Sequence, residues 1–103
     1  MPQDEIEFEI RWSPSIEDAA LVALLDNGDD VLGPSNLLGT GSVTKTYTAP
    51  QAVLHAIAWE LIFPGKTLTN LVARARRLPG GAFQLLARAA TATDSWSASG
   101  VLP

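Results

Sequence analysis

The chain has no cysteine and a single histidine, His55. The first absence excludes disulfides, thiolate zinc sites and a cysteine nucleophile. The second excludes any centre built on paired histidines. Charge is also scarce: 17% of the 103 residues are Asp, Glu, Lys or Arg, against 47% hydrophobic. Disordered chains need the opposite balance, so the composition is that of a folded chain whose surface is partly Ser, Thr and Ala. No apolar run approaches the roughly 20 residues of a membrane helix. The opening Met1-Pro2-Gln3-Asp4-Glu5 has neither the basic start nor the apolar stretch of a signal peptide. The expectation is a soluble protein, cytoplasmic by default and without a membrane partner.

What is present fits a single domain over residues 1–103. A chain of this length buries roughly two-thirds of the surface its unfolded form exposes, enough for one core without a metal or disulfide. The net charge of −4 is unevenly spread: the first thirty residues hold nine acids and one base, the remainder six bases and two acids. The acidic part is therefore −8 and the basic part +4. Such asymmetry either serves a partner or lets two parts of one domain face each other.

The cleanest structural signal is the alternation of Ile6, Phe8, Ile10 and Trp12 with Glu5, Glu7, Glu9 and Arg11, which predicts a half-buried strand with an acidic outer face. Residues 15–26 read either as a helix opened by Ser15 and Asp18 or as a buried strand, with the strand favoured. Asp26-Asn27-Gly28-Asp29 carries the Asn-Gly pair of a tight hairpin. Residues 42–48, rich in Thr and Val, read as a strand. In 52–63, Val53, His55, Ile57, Trp59, Leu61 and Phe63 share one strand face, and Pro64-Gly65 is expected to end it. Residues 67–78 fit a helical stripe, or a strand with Leu71, Ala73 and Ala75 facing in and Arg74 and Arg76 out. Further segments follow at 82–93 and 95–101. About seven short segments between turns predict an all-β fold, a small antiparallel β-sandwich; an α+β fold with helices near 15–26 and 67–78 is the alternative. In size and strand spacing the chain resembles immunoglobulin-like sandwiches. It lacks the Cys pair that marks antibody domains, and the likeness implies no function.

Several residues invite chemistry. Gly65-Lys66-Thr67 resembles the end of a phosphate loop, but the Gly required five residues earlier is Glu60, and a turn between strands is the simpler reading. His55 could serve a small hydrolase, given a Ser or acid beside it. Asp26, Asp29 and Asp30 crowd one turn and could hold Ca²⁺ weakly, although they lack the spaced ligands of a helix–loop–helix site; no other cofactor is expected. Arg74, Arg76 and Arg77 could contact a partner, or could pair across strands with the Glu5, Glu7, Glu9 row. Few aromatics accompany them, which argues against nucleic acid. Trp12 and Trp59 read as core; Trp96, set among serines, could anchor a protein or stack on a sugar if exposed. The expectation is a non-enzymatic module for protein–protein interaction or self-assembly as a homo-oligomer, using Arg74, Arg76, Arg77 and Trp96. A carbohydrate- or calcium-binding module is the alternative.

Overall fold

The alternation around Ile6 and Phe8 holds over the whole of β1 (Gln3–Ser13), whose Ile6, Phe8, Ile10 and Trp12 are all buried. The computed structural model describes residues 2–16 and 19–103. Among these the chain is all-β, forming β2 (Ala19–Asp26), β3 (Asp29–Asp30), β4 (Leu37–Gly39), β5 (Ser42–Pro50), β6 (His55–Leu78) and β7 (Gln84–Leu102). The strand reading of 19–26 and 67–78 holds, and neither segment is a helix. The helix start expected at Ser15 and Asp18 falls partly outside the described residues. No helix among the described residues is long and apolar enough to cross a membrane.

All strand pairs are antiparallel and belong to one hydrogen-bonded sheet of order β3-β2-β6-β1-β5, with β4 on β2 and β7 on β6. Two segment boundaries differ from expectation. Pro64-Gly65 does not end a strand: β6 runs through it, and β7 likewise joins the two segments expected at 82–93 and 95–101. A register shift between Phe63 and Thr67 accommodates the proline. Gly65 takes φ 75° there and donates its N–H to Asp94 Oδ1 at 2.8 Å. The β6–β7 ribbon turns a corner at this point rather than stopping.

The corner gives each long strand two roles. Residues 57–62 of β6 pair with β2, and residues 69–78 pair with β1. Contacts between the two parts show that they face one another. Phe8 of β1 meets Trp59 of β6 with ring centroids 5.4 Å apart, and Trp59 meets Trp96 of β7 edge-on at 5.5 Å. A Cβ placed on Gly100 would lie 2.5 Å from the Leu86 carbonyl oxygen, although both residues belong to β7. Between the parts lies a core of Ile6, Phe8, Ile10, Leu21, Leu24, Ile57, Leu61, Phe63, Leu68 and Leu71 with the three tryptophans.

The turn at Asn27-Gly28 behaves as its sequence predicts. Both residues have positive φ, 48° and 87°, as a two-residue hairpin between β2 and β3 requires.

Candidate functional site

At the Asp4 end of β1, four strands bring polar side chains into the buried interior. His55 opens β6 and is fully buried; its Nδ1 lies 2.8 Å from Asp26 Oδ1 at the end of β2, and its Nε2 lies 2.7 Å from Asp4 Oδ2. Tyr47 of β5 donates its hydroxyl to Asp26 Oδ2 at 2.7 Å. Arg77 donates Nη1 to Asp4 Oδ2 at 2.6 Å and Nη2 to the carbonyls of Ala52 and Val53. A neutral imidazole has only one N–H, so two ionised carboxylates are both served only by the imidazolium. Asp4 is thus shared by His55 and Arg77, and Asp26 by His55 and Tyr47. The hydrogen bond from His55, reinforced by the Ala52 N–H and by Arg77, holds the Asp4 carboxyl down at about 2. Burial, then the bond to Asp26, pushes the Tyr47 phenol well above its ordinary range.

This cluster is closed. His55 has both ring nitrogens occupied by carboxylates, so it has none left to activate a serine or a water. Glu60, its nearest acid in sequence, lies on the exposed face of the strand. The members come from β1, β2, β5 and β6, and they tie the two facing parts of the sheet together.

The arginine row on β6 is likewise engaged within the chain. Glu7 stands directly opposite Arg76 and Glu9 opposite Arg74 in the β1–β6 register. Arg76 Nε reaches Glu7 at 2.6 Å, and Arg74 reaches Glu9 at 2.7 Å through both Nε and Nη2. Arg77 turns to Asp4 rather than Glu5, because Glu5 faces Leu78. Phe83, from the turn after β6, stacks beneath Arg74 at 4.0 Å and Arg76 at 4.7 Å. Each of these three candidate contact residues has an acid partner in its own chain.

Burial also bears on the acidic turn and on Trp96. Asp26, Asp29 and Asp30 do not converge on an ion. Asp26 is turned inward to Tyr47 and His55, while Asp29 and Asp30 are exposed on β3, and Asp30 Oδ1 accepts the Leu32 N–H. Among the described residues no three His, Asp or Glu side chains form a metal-holding group. Trp96 is 9% exposed and packs against Trp59, so it offers no open ring to a sugar or a partner.

The opposite end of β1 is open. A cleft of about 480 Å³ lies among Arg11, Trp12, Ser13, Ser42, Asn70 and Arg74. Beside it, β7 pairs with β6 on one side only; among the described residues no backbone partner lies along its other edge. Neither feature was legible as a site in the sequence, because both depend on which strands become neighbours. The chain matches no family model, and no curated protein or solved structure proves similar to it.

Proposed function

We propose that the chain is a non-enzymatic all-β module for protein–protein interaction or self-assembly, and that its contact surface is the free edge of β7 rather than the arginine row. One observation carries this reading: a 19-residue strand is paired along a single edge. Unpaired edges present a row of backbone N–H and C=O groups, and proteins that stay monomeric blunt them with charge, proline or a covering element. Of the other outer strands, β3 and β4 are only two and three residues long, and β5 carries Lys45 and ends at Pro50. Residues 95–102 of β7 hold no charge and no proline, and their exposed positions are Ser95, Ser97, Ser99 and Val101. Leu85 and Val101, 56% and 51% exposed, add apolar surface to the same strand.

The occupant this edge fits is an extended strand, and a second copy of β7 supplies one. Because the bonds are between backbones, the association is insensitive to salt, unlike assembly through paired charges. The test is light-scattering mass across a wide concentration range, for the native chain and for Ser97→Lys/Ser99→Lys. A native dimer that persists in high salt and dissociates in the double variant is the expected result. A native monomer at every concentration, or a dimer that the two lysines leave intact, overturns the reading.

A further inference from the structure

We propose that the cleft at the Trp12 end of β1 binds a small hydroxylated organic anion, of the sugar-acid class. This goes beyond the β7 edge and does not depend on it. The cleft's volume, about 480 Å³, lies in the range of small-molecule sites.

The charge at its mouth is unbalanced. Elsewhere in the ladder no two guanidiniums share a carboxylate: Arg76 pairs with Glu7 and Arg77 with Asp4. Here two guanidiniums share one acid. Glu9 Oε1 already accepts from Arg74 at 2.7 Å, and Arg11 is left at 3.9 Å from the same oxygen. Arg11 is 61% exposed, so its donors face solvent at the rim. Arg74 is held in place by Glu9 on one side and the Phe83 ring on the other. A fixed guanidinium and a free one around a cavity are a carboxylate-binding arrangement.

The lining is mixed, and three of its polar side chains are uncommitted. Among the described residues, the side chains of Ser13, Ser42 and Asn70 make no hydrogen bond to another group. They supply both donors and acceptors, which a hydroxylated ligand needs and a bare anion does not.

Asn70 is placed there by the backbone. Leu68 and Leu71 are both fully buried, although a period of two cannot turn residues three apart to one face. The mismatch is absorbed between Arg11 and Ser13, where two steps along β1 oppose three along β6. Asn70 sits in that bulge at φ 52° and is exposed. Bulges of this kind re-aim side chains beside functional sites. A left-handed residue inside a strand is a local strain that points the same way.

The test is titration of the full chain with D-glucuronate at low salt, followed by amide and indole NMR shifts, with glucose and inorganic phosphate as comparison probes. The expected result is saturable shifts at Gly41, Ser42, Asn70 and the Trp12 indole with glucuronate, and weaker binding of both comparison probes. Arg11→Ala, which removes an exposed side chain, should weaken glucuronate binding by about tenfold, the worth of one charge-assisted bond. Asn70→Gly keeps the left-handed backbone and deletes only the carboxamide, so it should stay folded and also bind less. Absence of saturable shifts, equal binding of glucose, equal binding of phosphate, or unchanged affinity in Arg11→Ala each overturns the proposal.

Discussion

The two ends of β1 handle polar groups in opposite ways. At the Asp4 end, an imidazole, a phenol and one carboxylate are buried, a second carboxylate and a guanidinium are partly exposed, and each takes another as partner. At the Ser13 end, hydroxyls, a carboxamide and two guanidiniums surround a cavity, and among the described residues the hydroxyls and carboxamide are unpaired. A network that satisfies itself rigidifies the fold, because every member would suffer from losing its partner. One that does not satisfy itself inside the chain is open to something outside it. Chemical variety alone therefore does not mark a site; the richer cluster is the structural one.

The sharpest way to break this contrast is to remove the histidine. His55→Leu should leave Asp4 and Asp26 without the imidazole between them, and breaking a buried pair costs about 3–5 kcal/mol. Chemical denaturation would show this as a lower midpoint with an unchanged slope. A loss near zero would mean that the cluster is not what joins the two parts of the sheet. Gly100→Ala probes the same joining without any charge. Its new Cβ meets the Leu86 backbone, which cannot swing aside as a side chain could, and overpacking of this kind costs about 1–3 kcal/mol. A thermal melt compared with that of the parent chain would measure it.

Much of this architecture was legible in the alternation of residues. The faces of β1 and of 55–63, the inward Leu71, Ala73 and Ala75, the Asn27-Gly28 turn and the pairing of Arg74 and Arg76 with the Glu row follow from a period of two. The closed cluster left a subtler trace. Asp4 continues the inward series Ile6, Phe8, Ile10, and His55 begins the inward series Ile57, Trp59, Leu61. An ionisable residue in phase with an apolar face must find partners inside, but the sequence does not say which strand ends lie together. Asp26 illustrates the difficulty: its neighbours Asp29 and Asp30 made it look like part of an acidic turn, yet it is the one that points inward. The corner at Pro64-Gly65 was hidden because proline and glycine mark bends and strand ends with the same residues. The β7 edge was hidden for a different reason, since an edge is a property of what is not paired.

Acid sharpens the comparison further. Asp4 titrates at about 2 in the folded chain against an ordinary 3.8. A carboxyl whose folded value lies below its unfolded one stabilises the fold fully above the unfolded value. That contribution is lost as the pH falls through the window from 3.8 towards 2. Asp4→Asn lacks the contribution at every pH. Its melting temperature should therefore lie below that of the parent chain at pH 6, and the gap should narrow as both are taken to pH 2. A gap that stays constant would assign the stability difference to packing instead of charge.

The smallest effect expected is in the ladder between the two ends. Glu7 and Arg76 are opposed one to one at 2.6 Å, but Arg76 is about a third exposed, and exposed pairs contribute only about 0.2–1 kcal/mol. A cycle of Glu7→Gln, Arg76→Met and the double variant isolates that coupling, since Met keeps much of the stem that packs near Phe83. The coupling should shrink in 1 M salt, where charges are screened beyond about 3 Å. His55 and Asp26 are fully buried, so the His55→Leu loss should persist there. If salt weakened both alike, the distinction between a solvated ladder and a closed interior network would fail, and the His55 end would have to be counted as part of the surface.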